Sequence, residues 1–323
     1  MPEIFNRQQI EEALRNVDVT TAIEQGFVAY SQGEVVVPPV GELVFEDPPG
    51  DVHIKYGYIK GDDYFVIKVA SGFYGDVDTG LPPYDGLMLV FSQKTARLEC
   101  ILHDECYLTN VRTAAAGAVV AKYLAPSKVA RIGVFGAGVQ GRMQVEALLP
   151  IVDCRDVIVW GMSEEELEAY REAMKGRGLS IETTQTGDEI GSTCNLIVTA
   201  TPSHTPLLRA EQILEGTHVT AMGADTREKN ELDPAILGKA DLVVADSIDQ
   251  CRERGEIFHA LEAGVLREGD AVELGNVIVD PTLRRTDDSQ ITVADLTGVA
   301  VQDIQISKAV YEVLTGGARG SNT

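Results

Sequence analysis

Residues 8–32 (QQIEEALRNVDVTTAIEQGFVAYSQ) place apolar side chains at helical spacing, which predicts a helix or a helix pair. Beyond Val35 the period changes. The runs VHIKYGYI (52–59), YFVIKVAS (64–71) and GLMLVF (86–91) are short, β-rich and separated by Pro, Gly and Asp clusters, and they predict antiparallel strands joined by turns. Residues 105–124 (ECYLTNVRTAAAGAVVAKYL) are Ala-rich and helical. From Ser127 onward the apolar runs VARIGVF (129–135), DVIVW (156–160), NLIVTA (195–200), THVTAM (217–222) and DLVVAD (241–246) alternate with helical patterns, which predicts βαβ units on a parallel sheet. The stretch 289–314 reads as a short strand, a glycine-containing turn and a closing helix. The pattern therefore predicts a nucleotide-type domain over roughly 120–300, inserted between the N-terminal segment and a C-terminal helix that returns to it.

One turn in that alternation carries chemistry. Gly136-Ala137-Gly138-Val139-Gln140-Gly141 is a GxGxxG that follows the strand VARIGVF and opens the helix RMQVEALLP, the context a dinucleotide fingerprint requires. Gly136 permits the tight turn, Gly138 lets a pyrophosphate approach the backbone, and Gly141 allows close helix–strand packing. The helix N-terminus then offers N–H groups and a positive dipole to phosphate. The acid that such a fingerprint expects at the end of the second strand is missing: Trp160-Gly161-Met162-Ser163 stands there. Ser163 is retained as a cofactor candidate, although with Glu166 it also forms a capping box for the next helix. No arginine stands beside it to grip a 2′-phosphate, and Glu164 and Glu165 would repel one, so NAD(H) is favoured over NADP(H) without the choice being decided.

Composition narrows the partners. The chain has 323 residues, 44% of them hydrophobic, enough for a large core and two domains. Lys+Arg 27 against Asp+Glu 50 leaves a net charge of −23, a surface that repels phosphate backbones and anionic lipid, so neither nucleic acid nor membrane is expected as a partner. Five dispersed cysteines without a CxxC pair, and an N-terminus without an apolar signal core, point to a cytoplasmic protein with reduced thiols. His103, His204, His218 and His259 are isolated, and no metal is expected. P-loop and GxSxG patterns are absent.

Five blocks, YLTNVRTAAAGAVVAKYLA (107–125), GVFGAGVQGRMQVEAL (133–148), IVTATPS (197–203), HVTAMGADTREKNELDP (218–234) and DSQITVADLTGVAVQD (288–303), occur in an order that resembles the ornithine cyclodeaminase/mu-crystallin family over nearly the whole chain. The resemblance implies an α/β architecture in which a Rossmann-type parallel-sheet domain (120–304) is inserted in an α+β substrate-binding and dimerisation domain (1–119 and 305–323). It also implies a homodimer formed through the β-sheet of the substrate domain, and bound NAD(H) or NADP(H). The family's chemistry links an α-amino acid and its α-imine by hydride transfer between Cα and the nicotinamide. Reductases and dehydrogenases stop after one transfer, whereas cyclodeaminases return the hydride with no net redox change.

By the same resemblance Lys68, in VIKVASG, approaches the substrate's carboxylate and reacting centre, and Arg112, in VRTAAAG, grips the α-carboxylate. A planar guanidinium can do so through two parallel hydrogen bonds. Asp225, in MGADTREKNEL, matches the acid–base aspartate and follows a strand of the parallel sheet. Thr113 is expected at a helix start, where its hydroxyl and N–H could meet cofactor phosphate, and Thr201 and Pro202 are expected to pass beside the cofactor. Lys229 and Ser289 sit in matching blocks as weaker ligand candidates, and Ser203 as the cap of a turn.

Two departures bear on the substrate. Many members carry an arginine in the first β region, whereas this chain has none between Arg15 and Arg97. Thirteen positions before Lys68, where ornithine cyclodeaminase has an acid for the distal amine, stands Lys55. A lysine about 4 Å from a distal ammonium, at an effective dielectric near 20, would repel it by roughly 4 kcal/mol. Lys55, with His53, is instead a candidate for replacing the missing arginine or for binding a second acidic group. The leading expectation is an NAD(P)-dependent oxidoreductase that interconverts a small α-imino acid and its α-amino acid. A redox-neutral cyclodeaminase and a mu-crystallin-like binding protein with little turnover stand as alternatives.

Overall fold

The structure is a computed structural model and describes residues 2–73 and 84–316. It divides into two compact units, Met1–Arg112 with Val299–Thr323, and Thr113–Gly298. Both seams lie a few residues earlier than the sequence pattern suggests. The reason is local. The first seam falls within one long helix, where Arg112 bonds to Gln302 and Asp303 while the carbonyl of the next residue, Thr113, bonds to Gln144.

The chain opens with β1 (Glu3–Asn6), α1 (Arg7–Leu14) and α2 (Val19–Ser31), so the helical pattern of 8–32 is a helix pair. Asn6 caps α1 by accepting from Gln9 N, and Asp18 caps α2 by accepting from Thr21 N. Then follow β2 (Val35–Val36), β3 (Gly41–Glu46), β4 (Pro49–Ile59), β5 (Tyr64–Phe73), β6 (Tyr84–Ser92) and β7 (Leu98–His103). They form a sheet of order β1-β7-β6-β5-β4-β2, with β3 also pairing β4. All of its neighbours run antiparallel except β1 and β7, which run parallel.

Alternation along these strands separates two faces. Lys55, Gly57, Val66, Lys68, Met88, Val90, Cys100 and Leu102 are buried, while Ile54, Tyr56, Tyr58, Phe65, Ile67, Val69, Leu87, Leu89 and Phe91 remain partly exposed. Phe65 and Phe91 stack on that second face with ring centroids 4.8 Å apart.

The long helix α3 (Tyr107–Leu124) leads into the second unit. There β8 (Ile132–Phe135), α4 (Val139–Leu148), β9 (Asp156–Trp160), α5 (Glu164–Ala173), β10 (Ser180–Thr184), α6 (Gly187–Thr193), β11 (Leu196–Thr199) and β12 (His218–Ala221) alternate. The unit closes with α7 (Ala235–Lys239), β13 (Leu242–Ala245), α8 (Ile248–Cys251), α9 (Gly255–Glu262), β14 (Ala271–Glu273), α10 (Leu274–Val279) and β15 (Thr292–Asp295). Every pairing in the sheet β10-β9-β8-β11-β12-β15-β13-β14 is parallel. The central strands β8, β11, β12 and β15 are buried along their whole length, as strands covered on both faces must be. Strand order reverses between β8 and β11, and ligands of open α/β sheets bind at such a switch point. The last helix, α11 (Val301–Leu314), belongs to the first unit and packs on α2, β4, β5 and β6. Among the described residues no helix is long and apolar enough to cross a membrane.

Candidate active site

At the switch point the glycine loop is shaped by close approach. Gly136 has φ +115°, and a Cβ on it would lie 2.6 Å from the Ala200 carbonyl oxygen. A Cβ on Gly141 would lie 1.9 Å from the Gly136 carbonyl oxygen, so neither position admits a side chain. Gly138 is the N-cap of α4, has no side-chain cap and is exposed together with Val139, so the N-terminal end of the helix opens outward at this turn. Ala137 and Gln140, between these positions, are partly buried. These features fit a dinucleotide pyrophosphate. The turn after β11 closes the other side of the crevice: Pro202 is exposed, and Thr201 Cγ2 would sit 3.2 Å from a Cβ on Gly136.

The Thr201 hydroxyl itself is turned inward. It donates to Glu231 Oε1 at 2.7 Å, the Thr201 N–H donates to the same oxygen at 2.6 Å, and Oε2 accepts from Thr199 Oγ1 at 2.7 Å and Gly223 N at 2.8 Å. One buried carboxylate thus ties the end of β11 to the end of β12. Glu256 accepts from Glu231 N and Leu232 N, and Asp295 from Ile257 N. Burial raises all three carboxyls, Glu256 and Asp295 well above the ordinary range. Among 50 acidic residues nothing in the sequence pattern distinguishes these buried ones.

Asp225 lies in the loop that follows β12, at the carboxyl end of the sheet. Lys229 Nζ is 2.6 Å from its Oδ1, and Arg254 Nη1 donates to its carbonyl at 3.2 Å. His218, at the start of β12, is fully buried between Thr292 Oγ1 at 2.7 Å and Thr220 Oγ1 at 2.9 Å, and burial holds its pKa down at about 3. It is a neutral core histidine. Ser289 is occupied within its own turn, donating to Asp287 Oδ1.

The first unit carries a separate cluster of buried charge. Lys55 and Lys68 sit directly opposite each other on β4 and β5, 6% and 3% exposed. Lys68 Nζ is 3.3 Å from Asp303 Oδ1, and Arg112 Nε donates to the same oxygen at 3.1 Å, while Arg112 Nη1 donates to Gln302 Oε1 at 3.0 Å. Burial lowers the Lys68 pKa, with Asp303 pulling the other way. Burial likewise pushes Asp303 up, but Lys68, Arg112 and Lys55 outweigh it and hold the carboxyl below its ordinary range. Asp104, whose Oδ2 accepts from Leu108 N at 2.7 Å, is raised by burial to about 6. A pair of cations held beside a single carboxylate oxygen can bind the carboxylate of a small ligand.

Several sequence-based placements change. Thr113 is not at a helix start: α3 begins at Tyr107, so the Thr113 N–H falls inside the helical ladder, and its carbonyl accepts from Gln144 Nε2 on α4. His53 lies on the same strand as Lys55, but its Nε2 is 3.4 Å from Asp51 Oδ1 and its Nδ1 3.9 Å from Glu42 Oε1, which makes it a poor receptor for a substrate's acidic group. Two placements are as the sequence suggests: Ser163 caps α5, accepting from Glu166 N, with Glu166 reaching back to Met162 N, and Ser203 Oγ accepts from Thr205 N within its turn.

A model of the ornithine cyclodeaminase/mu-crystallin family matches residues 2–318, the cation cluster and the glycine loop included. The chain belongs to this family. Within it, an uncharacterized cyclodeaminase of Sinorhizobium fredii is 40% identical over 92% of this chain and 91% of its own. The alanine dehydrogenase of Archaeoglobus fulgidus is 35% identical over 96% and 94%, and the iminosuccinate reductase of Paracoccus denitrificans 34% over 90% of each. Among solved structures, an archaeal alanine dehydrogenase dimer with bound NAD matches with a TM-score of 0.88 at 34% identity, covering 99% of this chain and 98% of its own. The Δ1-pyrroline-2-carboxylate reductase of Thermococcus litoralis, in complex with NADH and L-proline, gives 0.89 at 25% identity over 99% and 100%.

Proposed function

We propose that this member of the family is an NAD(P)-dependent oxidoreductase acting on C–N bonds, which reduces a small α-imino acid to its α-amino acid or runs the reverse. The observation that carries the reading is the pairing of Lys68 with Arg112 on one carboxylate oxygen, in a chain whose second unit has a glycine loop shaped for a dinucleotide. Bound nicotinamide supplies or accepts the hydride. Lys68 and Arg112 hold the substrate's α-carboxylate and so orient its Cα. Asp225 exchanges the proton at the substrate nitrogen, and Lys229, 2.6 Å from its Oδ1, stabilises the carboxylate that remains once the proton has been given up. The amides opening α4 hold the pyrophosphate, and the absence of an arginine beside Ser163, together with Glu164 and Glu165, favours NAD over NADP. The half-exposed apolar face of the first unit's sheet supports a homodimer.

Lys55 bears on the substrate class. Buried opposite Lys68, it disfavours a distal ammonium and so disfavours ornithine, and it favours an acidic side chain. The test is oxidation of NADH and of NADPH, followed near 340 nm, with cyclic imines and with 2-oxo acids plus ammonia or methylamine, dicarboxylic ones included. Oxidation with one imine, reduced by a factor of about 10²–10⁴ in Asp225→Asn while NADH binding is retained, is the expected result. An unaffected rate in that variant would remove Asp225 from the proton transfer. Lys55→Glu should selectively weaken dicarboxylic substrates, and equal kinetics with every accepted substrate would exclude Lys55 from the site. No oxidation across the panel, with ammonia released from diamino acids in the presence of NAD, would replace this reading by a redox-neutral cyclodeaminase.

A further inference from the structure

Gln302 and Asp303 stand in the first turn of α11, a helix whose other buried residues, Val301, Ile304, Ile306 and Val310 among them, are largely apolar. Both side chains are 1% exposed. Together they bracket the Arg112 guanidinium, Gln302 Oε1 at Nη1 and Asp303 Oδ1 at Nε, and the same Asp303 oxygen holds Lys68. The other polar atoms of the two residues, Asp303 Oδ2 and Gln302 Nε2, are buried without a hydrogen-bond partner. A buried ion pair is a weak source of stability compared with well-packed apolar groups, and orphaned buried polar atoms add a further cost. That expense at a helix–sheet contact calls for another reason.

We propose that Asp303 is a positioning residue for carboxylate binding: it fixes Lys68 and Arg112 in one arrangement and keeps Lys68 charged, with Gln302 locking the guanidinium. The inference rests on the reading above only in assigning carboxylate binding to Lys68 and Arg112. The groups that act on Lys68 come from every element around it. Lys55 on β4 and Arg112 on α3 oppose its charge, Asp303 on α11 supports it, and Asp104 and the Cys106 thiol, just before α3, add negative charge once ionised. Burial already favours the neutral amine, so loss of the Asp303 charge lets Lys68 discharge at a lower pH.

The experiment uses the full chain and pyruvate as the carboxylate probe, with binding measured by calorimetry between about pH 6 and pH 9. Asp303→Asn keeps the shape and removes the charge. Affinity is expected to fall roughly tenfold or more at the alkaline end, the size of one charge-assisted hydrogen bond, and the loss of binding with rising pH should begin at a lower pH than in the wild type. In a Lys68→Met background the same substitution should cost less and lose its pH dependence, because only Arg112 is left for Asp303 to position. An unchanged pH profile, or full additivity with Lys68→Met, overturns the proposal. If Asp303→Asn does not fold, Gln302→Leu carries the test: a few-fold, pH-independent loss supports the bracket and wild-type affinity overturns it. Imine turnover that is indifferent to Asp303→Asn would defeat this inference and leave the proposed reaction standing. Lys68-dependent pyruvate binding without any cofactor oxidation would do the reverse.

Discussion

In the first unit the buried Lys68 and Arg112 share one oxygen of the buried Asp303, so opposite charges face each other with the cations in excess. In the second unit Glu231, Glu256 and Asp295 are equally buried, yet they accept from backbone amides and threonine hydroxyls rather than from a cation. The pKa directions follow. Asp303 is held down by its cations, while the three acids of the second unit are pushed up by burial. The difference teaches what each cluster is built for. Cations gathered around one shared carboxylate oxygen can accept an anion from outside. Glu231 braces the loops that carry Thr201 and Gly223, Glu256 holds the backbone at Glu231 and Leu232, and Asp295 that at Ile257, so these acids tie backbone to backbone.

The contrast can be broken most forcefully at Lys68. Lys68→Met leaves Asp303 with fewer counter-charges in a buried site, and a loss of about 3–5 kcal/mol is expected in a urea-unfolding measurement, together with weakened carboxylate binding that Arg112 alone then supports. A stability close to that of the wild type would mean that the cluster is hydrated and that the comparison fails. Next in size is His218. Its ring stays neutral in the fold down to about pH 3 but takes up a proton near pH 6.5 in the unfolded chain, so protons favour unfolding and stability falls as the pH drops through that window. Between pH 6.5 and pH 5 this amounts to about 2 kcal/mol, and His218→Gln should flatten the slope of stability against pH by that amount.

The smallest effect is expected at Glu256. Its folded-state pKa is raised, so the folded chain keeps a proton that the unfolded chain has released, and this contribution to stability is lost as the pH rises through the folded value. Glu256→Gln has no such proton to lose. The variant should be destabilised by about 1 kcal/mol at mildly acidic pH, for one imperfect hydrogen bond, and should draw level with the wild type as the pH rises. A deficit that grows with pH would instead show that Glu256 works as a charge, like Asp303.

Much of the architecture was legible along the chain. The apolar runs at 156–160, 195–200, 217–222 and 241–246 each contain a strand of the parallel sheet, because strands covered on both faces are mostly apolar, their few polar residues being paired inside. The strands that escaped are of a different kind. β10 (SIETT) lies at the sheet edge with one side open, and β14 spans only Ala271–Glu273, so neither needs an apolar run. β7 (LECILH) carries its buried residues, Cys100 and Leu102, on alternate positions of a six-residue strand beside a bulge at Val90/Phe91.

The site divides in the same way. Gly136, Gly138 and Gly141 act through the backbone of consecutive residues, so spacing in the sequence was enough to describe how that loop is built. Lys68, Arg112 and Asp303 come from a strand, a helix and a second helix at the far end of the chain, and only the folded chain brings them to one oxygen atom. It is also the fold that turns Thr201 inward to Glu231 and sets His53 beside Asp51. Local order follows from periodicity and short-range sterics, which a sequence carries in full. Which charges share a buried space depends on contacts hundreds of residues apart, and the free energy of that sharing exists only once water has been excluded.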